Sequence, residues 1–184
     1  RWKDEVSHLL GDVLGVRDLS TQAAINVGIG NGREGKDFYD KFGSFMGVDI
    51  STQALEQAQT NYHPFMLPLL GSAERLENVA SNSIDTYLSF RTMQSTLLDR
   101  SRAMFSAYRV LRSGGRLLIS IPNTYIDQGK VKFGLLRPHG NILDPELPYT
   151  YIGEIRRTLF RLGFQHVGVR TGMVEVYVYA QKPT

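Results

Sequence analysis

The chain has 184 residues, 42% hydrophobic and 21% charged, the ordinary balance of a globular protein long enough to bury a sizeable core. Its formal charge of +3 and pI near 9.2 give a slight bias toward anionic partners, far short of the concentrated charge of a dedicated nucleic-acid binder. No apolar run approaches the roughly 18 residues that span a bilayer and no basic-then-apolar segment opens the sequence at Arg1, so a membrane partner is not expected. The absence of cysteine excludes a disulfide framework and thiolate metal sites, and it fits a cytoplasmic location.

Trp2, Val6, Leu9, Leu10, Val13 and Leu14 recur at helical spacing, which predicts an amphipathic N-terminal helix within residues 1–18 whose default role is core packing. Ala24, Ile25 and Val27 then supply the apolar run of a buried strand, and Gly28, Gly30 and Gly32 allow a tight turn with close backbone approach to a ligand. A helix and a second apolar run (Phe45, Met46, Val48) follow. That run ends at Asp49, 19 residues past Gly30, near the spacing of about 20 at which an acid meets ribose hydroxyls at a strand tip. Gly30, Gly32 and Gly35 satisfy the dinucleotide pattern G-x-G-x-x-G, while Gly28, Gly30 and Gly32 satisfy G-x-G-x-G. A surface loop using its glycines for conformation alone is the third reading.

Farther along, STQALEQAQTNY reads as a helix, Phe65 to Leu70 as an apolar strand, and Gly71-Ser72-Ala73-Glu74-Arg75-Leu76 as a turn. SNSIDTYLSF leads into a fourth strand, and AMFSAYRVLRSGGRLLISIPN gives helix, turn and fifth strand. After a connection at 124–148 come a helix over Tyr149 to Leu162 and two strands, FQHVGVRT and VEVYVYAQ. No repeat or low-complexity tract interrupts the series, so residues 1–184 are expected to form one domain. The alternation predicts an α/β fold with a doubly wound, mostly parallel sheet. Arg91, Arg100, Arg102, Arg109, Arg112 and Arg116 cluster in sequence, and several are expected on the solvent side of the helix before the fifth strand. Lys130, Lys132 and Arg137 flank Phe133, Leu135 and Leu136 within the connection, a composition able to hold a substrate phosphate or carboxylate.

Four segments in this order resemble the class I S-adenosylmethionine-dependent methyltransferases. INVGIGNG is similar to the family's first glycine loop, GVDIS to its second-strand acid, GSAERL to its third-strand turn, and YRVLRSGGRLLISIPN to its helix and fifth strand. Three positions depart from the pattern: Asn26 stands where the family has an acid, Ser72 where Asp is frequent, and Ser113 where proline is common. The resemblance implies a seven-stranded Rossmann-like sheet finished by an antiparallel strand pair, and an N-terminal helix able to cover the cofactor.

It also implies the cofactor S-adenosylmethionine, with S-adenosylhomocysteine as product, and a set of binding positions. Asn26 marks the start of the loop, and Gly28, Gly30 and Gly32 bring backbone groups to the methionine and ribose portions. Asp49 accepts the ribose hydroxyls and Ile50 packs on adenine. Ser72, Ala73 and Glu74 lie along the adenine edge, while Ser89, Phe90 and Arg91 run under the homocysteine portion. For Glu74 an exposed turn acid is the competing reading.

On the substrate side, the ends of the fourth and fifth strands point to the carboxyl edge of the sheet, where open α/β folds bind ligands. That makes Arg91, Gln94, Asn123 and Tyr125 catalytic candidates. His139, in the connection, is a candidate base for an oxygen or nitrogen nucleophile. Tyr149 and Tyr151 suit either an aromatic pocket or packing on the sheet. A sulfonium methyl is already activated, so transfer is an in-line displacement that positioning can largely drive. The scattered His8, His63, His139 and His166 show no metal-ligand spacing, so no metal is expected. The favoured function is methyl transfer to an O or N atom of a small-molecule acceptor, anions included. The alternatives are an RNA cap guanine methyltransferase, resembled by SIPNTYI and VEVYVYAQK, and a non-catalytic cofactor-binding or NAD(P)-binding domain. Oligomeric state is not encoded in these motifs.

Overall fold

A computed structural model describes residues 2–32, 35–62, 65–123, 147–172 and 174–184. Helix α1 (Trp2–His8) continues into a wider π-helical turn at Leu9–Val13. Gly15, with φ +68°, ends that segment short of the expected residue 18. Strand β1 (Ala23–Val27), the single turn α2 (Lys36–Tyr39), β2 (Ser44–Asp49), α3 (Thr52–Tyr62), β3 (Leu67–Leu70), β4 (Ile84–Phe90), α4 (Arg100–Val110) and β5 (Leu111–Pro122) follow. The chain closes with α5 (Leu147–Arg161), β6 (Gln165–Thr171) and β7 (Glu175–Gln181).

The seven strands form one sheet in the order β3-β2-β1-β4-β5-β7-β6. Strands β1 to β5 pair in parallel, β7 runs antiparallel to β5, and β6 antiparallel to β7. Both faces are covered, as parallel pairing requires. Ile25, Tyr87, Leu117 and Ile119 pack with α4 and α5 through Met104, Ala107, Ile155 and Leu159. Their strand neighbours Ala24, Leu88 and Leu118 pack on the opposite face with Val6, Leu9, Leu10, Phe38 and Leu55. The period-two alternation of side chains along a strand produces this division.

Helix starts are fixed locally. Ser51 Oγ accepts from the Ala54 N–H at 3.2 Å ahead of α3, and the Asp99 side chain accepts from the Arg102 N–H at 3.0 Å ahead of α4, each satisfying a backbone donor that the helix cannot. Strand β3 starts two residues later than the apolar run that announces it and lies at the sheet edge, with Leu67 and Leu70 exposed. Of the clustered arginines, Arg102 and Arg112 lie on the solvent side as expected, whereas Arg109 grips the carbonyls of Arg75, Leu76 and Val79 and Arg100 is largely buried.

The chain runs outward from β1 to β2 and β3, then returns to add β4 on the other side of β1. This reversal leaves a crevice beyond the carboxyl ends of β1 and β4, the switch point at which doubly wound sheets bind ligands.

Candidate cofactor and acceptor site

A cavity of about 350 Å³ opens at that switch point, lined by residues that include Gly28, Asp49, Ile50, Ser72, Ala73, Glu74 and Arg91. Its size falls within the usual range for small-molecule sites. Seven of the residues singled out from sequence therefore meet here, although they come from the ends of four different strands.

The glycine loop and the acid are joined directly. Asp49 Oδ2 accepts from the Gly30 N–H at 2.8 Å and Oδ1 from the Ser51 N–H at 3.0 Å. Gly30 has φ +57°, and a Cβ there would meet nothing within 4 Å, so its outer side is open space. Gly28 has φ +75°, and a Cβ there would lie 2.1 Å from Thr92 Oγ1; its need for glycine comes from the packing of β4's end on the loop. Gly30 and Gly32 lie outside the cavity lining. Gly32 continues the turn by donating its N–H to the Ile29 carbonyl.

Asn26 is buried, and its amide donates to the Tyr39 hydroxyl at 2.7 Å. The side chain thus faces α2 on the far face of the sheet and is not part of the cavity lining. On the turn after β3, Ser72 Oγ accepts from the Glu74 N–H. Glu74 Oε1 in turn accepts from the Asp99 N–H at 2.9 Å, tying the turn to the start of α4. Ile50 is 78% exposed at the rim.

At the end of β4, Ser89 is buried and donates to the Val27 carbonyl at 2.9 Å, stitching β4 to β1. Phe90 packs toward the α1 face. Neither lines the cavity. Arg91 does, and its Nε donates to Glu175 Oε1. Asn123 is buried beside β7, donating to the Gly172 carbonyl at 2.9 Å, while its Oδ1 has no hydrogen-bond partner among the described residues. Gln94 Oε1 is likewise buried without one. Tyr125 and His139, like Lys130, Lys132 and Arg137, lie outside the described residues. Tyr151 is buried under the Arg100 guanidinium at 3.8 Å from its ring centroid, so it packs; Tyr149 is exposed.

The sequence did not single out Val27, Gly71, Thr92, Ser95, Leu97 and Leu98 as a group, yet they complete the lining. The last three belong to a segment whose shape Arg100 sets. Its Nη1 donates to the carbonyls of Met93 and Ser95, and its Nε pairs with Glu154 at 2.6 Å. Leu97 is 94% exposed, an aliphatic group at the mouth with Ile50. No signal in the sequence separated it from a surface leucine. Glu175 was also missed, since it reads as one alternating position in a strand; on the same face, Tyr177 donates its hydroxyl to Glu5 Oε2 at 2.8 Å. Burial and the Glu5 hydrogen bond push the Tyr177 hydroxyl far up, with the charges of Glu5 and Glu175 adding and Arg91 opposing.

Residues 25–119 match a family model described as a methyltransferase domain. No match was found among curated proteins. Among solved structures, an S-adenosylmethionine-dependent methyltransferase from Aquifex aeolicus superposes with a TM-score of 0.70 at 16% identity, covering 98% of this chain and 96% of that one. A Thermotoga maritima protein described as a possible histamine N-methyltransferase gives 0.65 at 20% identity, covering 96% and 88%. A Haemonchus contortus N-methyltransferase, in complex with phosphomonomethylethanolamine and S-adenosylhomocysteine, gives 0.68 at 16% identity, covering 100% of this chain and 53% of that one. These likenesses carry the fold, and the family model spans more than half of the sequence. The chain belongs to the class I S-adenosylmethionine-dependent methyltransferase family.

Proposed function

We propose that this protein transfers a methyl group from S-adenosylmethionine to an oxygen or nitrogen atom of a small-molecule acceptor. The observation that carries the reading is the switch-point cavity, in which Asp49 is locked to the glycine loop through Gly30 and the Ile50 side chain stands exposed at the rim. The residues fit such a donor. A carboxylate offers about four acceptor positions, so Asp49 can bond Gly30 and Ser51 and still take two ribose hydroxyls. The open outer side of Gly30 admits a ligand against the backbone, and Ile50 and Leu97 offer apolar surface to a flat base.

When bound, the donor supplies a methyl on a positively charged sulfur, already activated for displacement. The chain's task is then to hold the two reactants in line and keep water out, which can account for much of the rate. Gly28, Asp49, Ile50, Ser72, Ala73 and Glu74 serve the adenosine portion, and Arg91 borders the amino-acid end. Arg91, Gln94 and Asn123 lie near the carboxyl edge from which an acceptor approaches. Gln94 and Asn123 enter this proposal by their place after β4 and β5, since neither lines the cavity. Tyr125 and His139 belong to the same acceptor-side proposal, His139 as a base.

The test is to incubate the purified chain with S-adenosylmethionine and panels of small amines, phenols and carboxylates, and to follow S-adenosylhomocysteine. The Haemonchus contortus N-methyltransferase and the Thermotoga maritima protein described as a possible histamine N-methyltransferase put amines first on the panel. Turnover on a small acceptor is the expected result. Turnover only on RNA, with affinity falling steeply as salt rises, would replace the acceptor class.

A further inference from the structure

Glu175 opens β7 with its side chain 1% exposed, on the face of the sheet that carries Tyr177. Taking a carboxylate out of water is costly unless a cation and hydrogen bonds compensate. One such partner is Arg91, 84 residues away in sequence, whose Nε donates to Glu175 Oε1.

Arg91 is unusual in its own right. It follows β4 directly with φ +54°, a left-handed conformation that strains a non-glycine residue and is found where surrounding structure imposes it. Its N–H is held by the Ser120 carbonyl at 3.0 Å. The backbone turn directs the side chain across β5 to the start of β7, since Pro122 of β5 is the register partner of Glu175. The two ends of the ion pair differ sharply in environment. The carboxylate is sealed in the sheet face, whereas the guanidinium side chain is 42% exposed and borders the cavity.

We propose that Glu175 is a positioning residue that fixes the Arg91 guanidinium at the cavity wall as the binding group for a ligand carboxylate. A guanidinium carries five N–H donors on one rigid plane, so it can serve two anions at once, and its fork matches a carboxylate. Nearby Tyr177 is directed to Glu5 on α1, so its hydroxyl does not substitute for Arg91. The ligand chemistry is an α-amino-acid carboxylate at the Arg91 wall of the cavity. On the reading that the cavity takes S-adenosylmethionine, on which this inference rests, that group is the carboxylate of the methionine portion.

The experiment compares calorimetric affinities for S-adenosylhomocysteine and for its decarboxylated analogue, identical except for the missing carboxylate. The proteins are the wild-type chain, Glu175→Gln and Arg91→Lys. The wild type should prefer the carboxylated ligand by about tenfold or more, in line with a charge-assisted hydrogen bond. Both variants should lose that preference while holding the decarboxylated analogue about as well as the wild type does. Arg91→Lys retains a cation for Glu175, so it keeps the test open if Glu175→Gln does not fold. Equal wild-type affinity for the two ligands, or variants that weaken both by the same factor, would overturn the assignment while leaving the donor reading intact. Failure of the wild type to bind either ligand would overturn both.

Discussion

The backbone N–H of Gly30 is bonded to Asp49 Oδ2 at 2.8 Å, so the acid at the tip of β2 is part of the glycine loop's own structure before any ligand arrives. Ser51 holds the other oxygen at 3.0 Å. An acid anchored from two sides presents its remaining lone pairs in a fixed direction, which lowers the ordering cost of binding.

Asp49→Ala removes the acceptor from both N–H groups and, on the proposed reading, from the ribose. Stability should fall by about 1–3 kcal/mol, the cost of leaving such groups unpaired. Affinity for S-adenosylhomocysteine should fall about a hundredfold or more, as loss of two charge-assisted bonds implies. Calorimetry together with denaturant unfolding separates the two effects. Unchanged affinity would remove Asp49 from the ligand site.

Gly28→Ala puts a methyl 2.1 Å from Thr92 Oγ1 at φ +75°. The combined strain and overpacking should cost about 2 kcal/mol or more. Thr92→Ala removes the two nearest atoms but leaves the Cβ of residue 92 at 2.7 Å and the backbone strain in place, so the double variant should recover only part of the loss. Denaturant unfolding of the four proteins in a cycle checks this; strictly additive effects would mean that Thr92 is not what confines Gly28.

Asn26→Asp restores the acid usual in the family, but at a position that faces Tyr39. The variant should lose about 1–3 kcal/mol by burying a carboxylate in place of an amide, and its affinity for S-adenosylhomocysteine should not rise. Tighter binding would show that position 26 acts on the ligand.

Tyr87 is fully buried, with a hydroxyl lacking a hydrogen-bond partner among the described residues. Burial pushes that hydroxyl far above its ordinary value, as burial and Glu5 do for Tyr177. An unfolded tyrosine ionises near about pH 10. Both groups have native values above the unfolded one, so their contribution is complete below about pH 10 and is lost as pH rises toward the native values. Alkaline titration should show cooperative unfolding accompanied by tyrosinate absorbance. Tyr87→Phe should leave stability at neutral pH unchanged or raise it by about 1 kcal/mol, since no bond is lost, and should flatten the alkaline decline. A large loss at neutral pH would mean that the hydroxyl has a partner.

Much of the fold was legible because its signals are local. The apolar runs of β1, β2 and β4, the helix at α5 and the alternation in β7 are each contained within a dozen or so residues, and Asp49 followed from spacing to the glycines. What escaped depends on contacts distant in sequence. The direction of Asn26 is decided by Tyr39 packing under the sheet, and the roles of Arg100 and Arg109 by carbonyls of neighbouring loops. The pairing of Glu175 with Arg91 joins strands that only the assembled sheet brings together. Helix α2 is a single turn that opens after Gly35 and ends at its C-cap, Asp40.

The most direct test of the central claim is calorimetric titration of the purified chain with S-adenosylmethionine, S-adenosylhomocysteine, NAD and NADP. Saturable binding of the two adenosyl sulfur compounds, with no binding of the dinucleotides, is the predicted result. Binding of NAD or NADP alone would contradict the account.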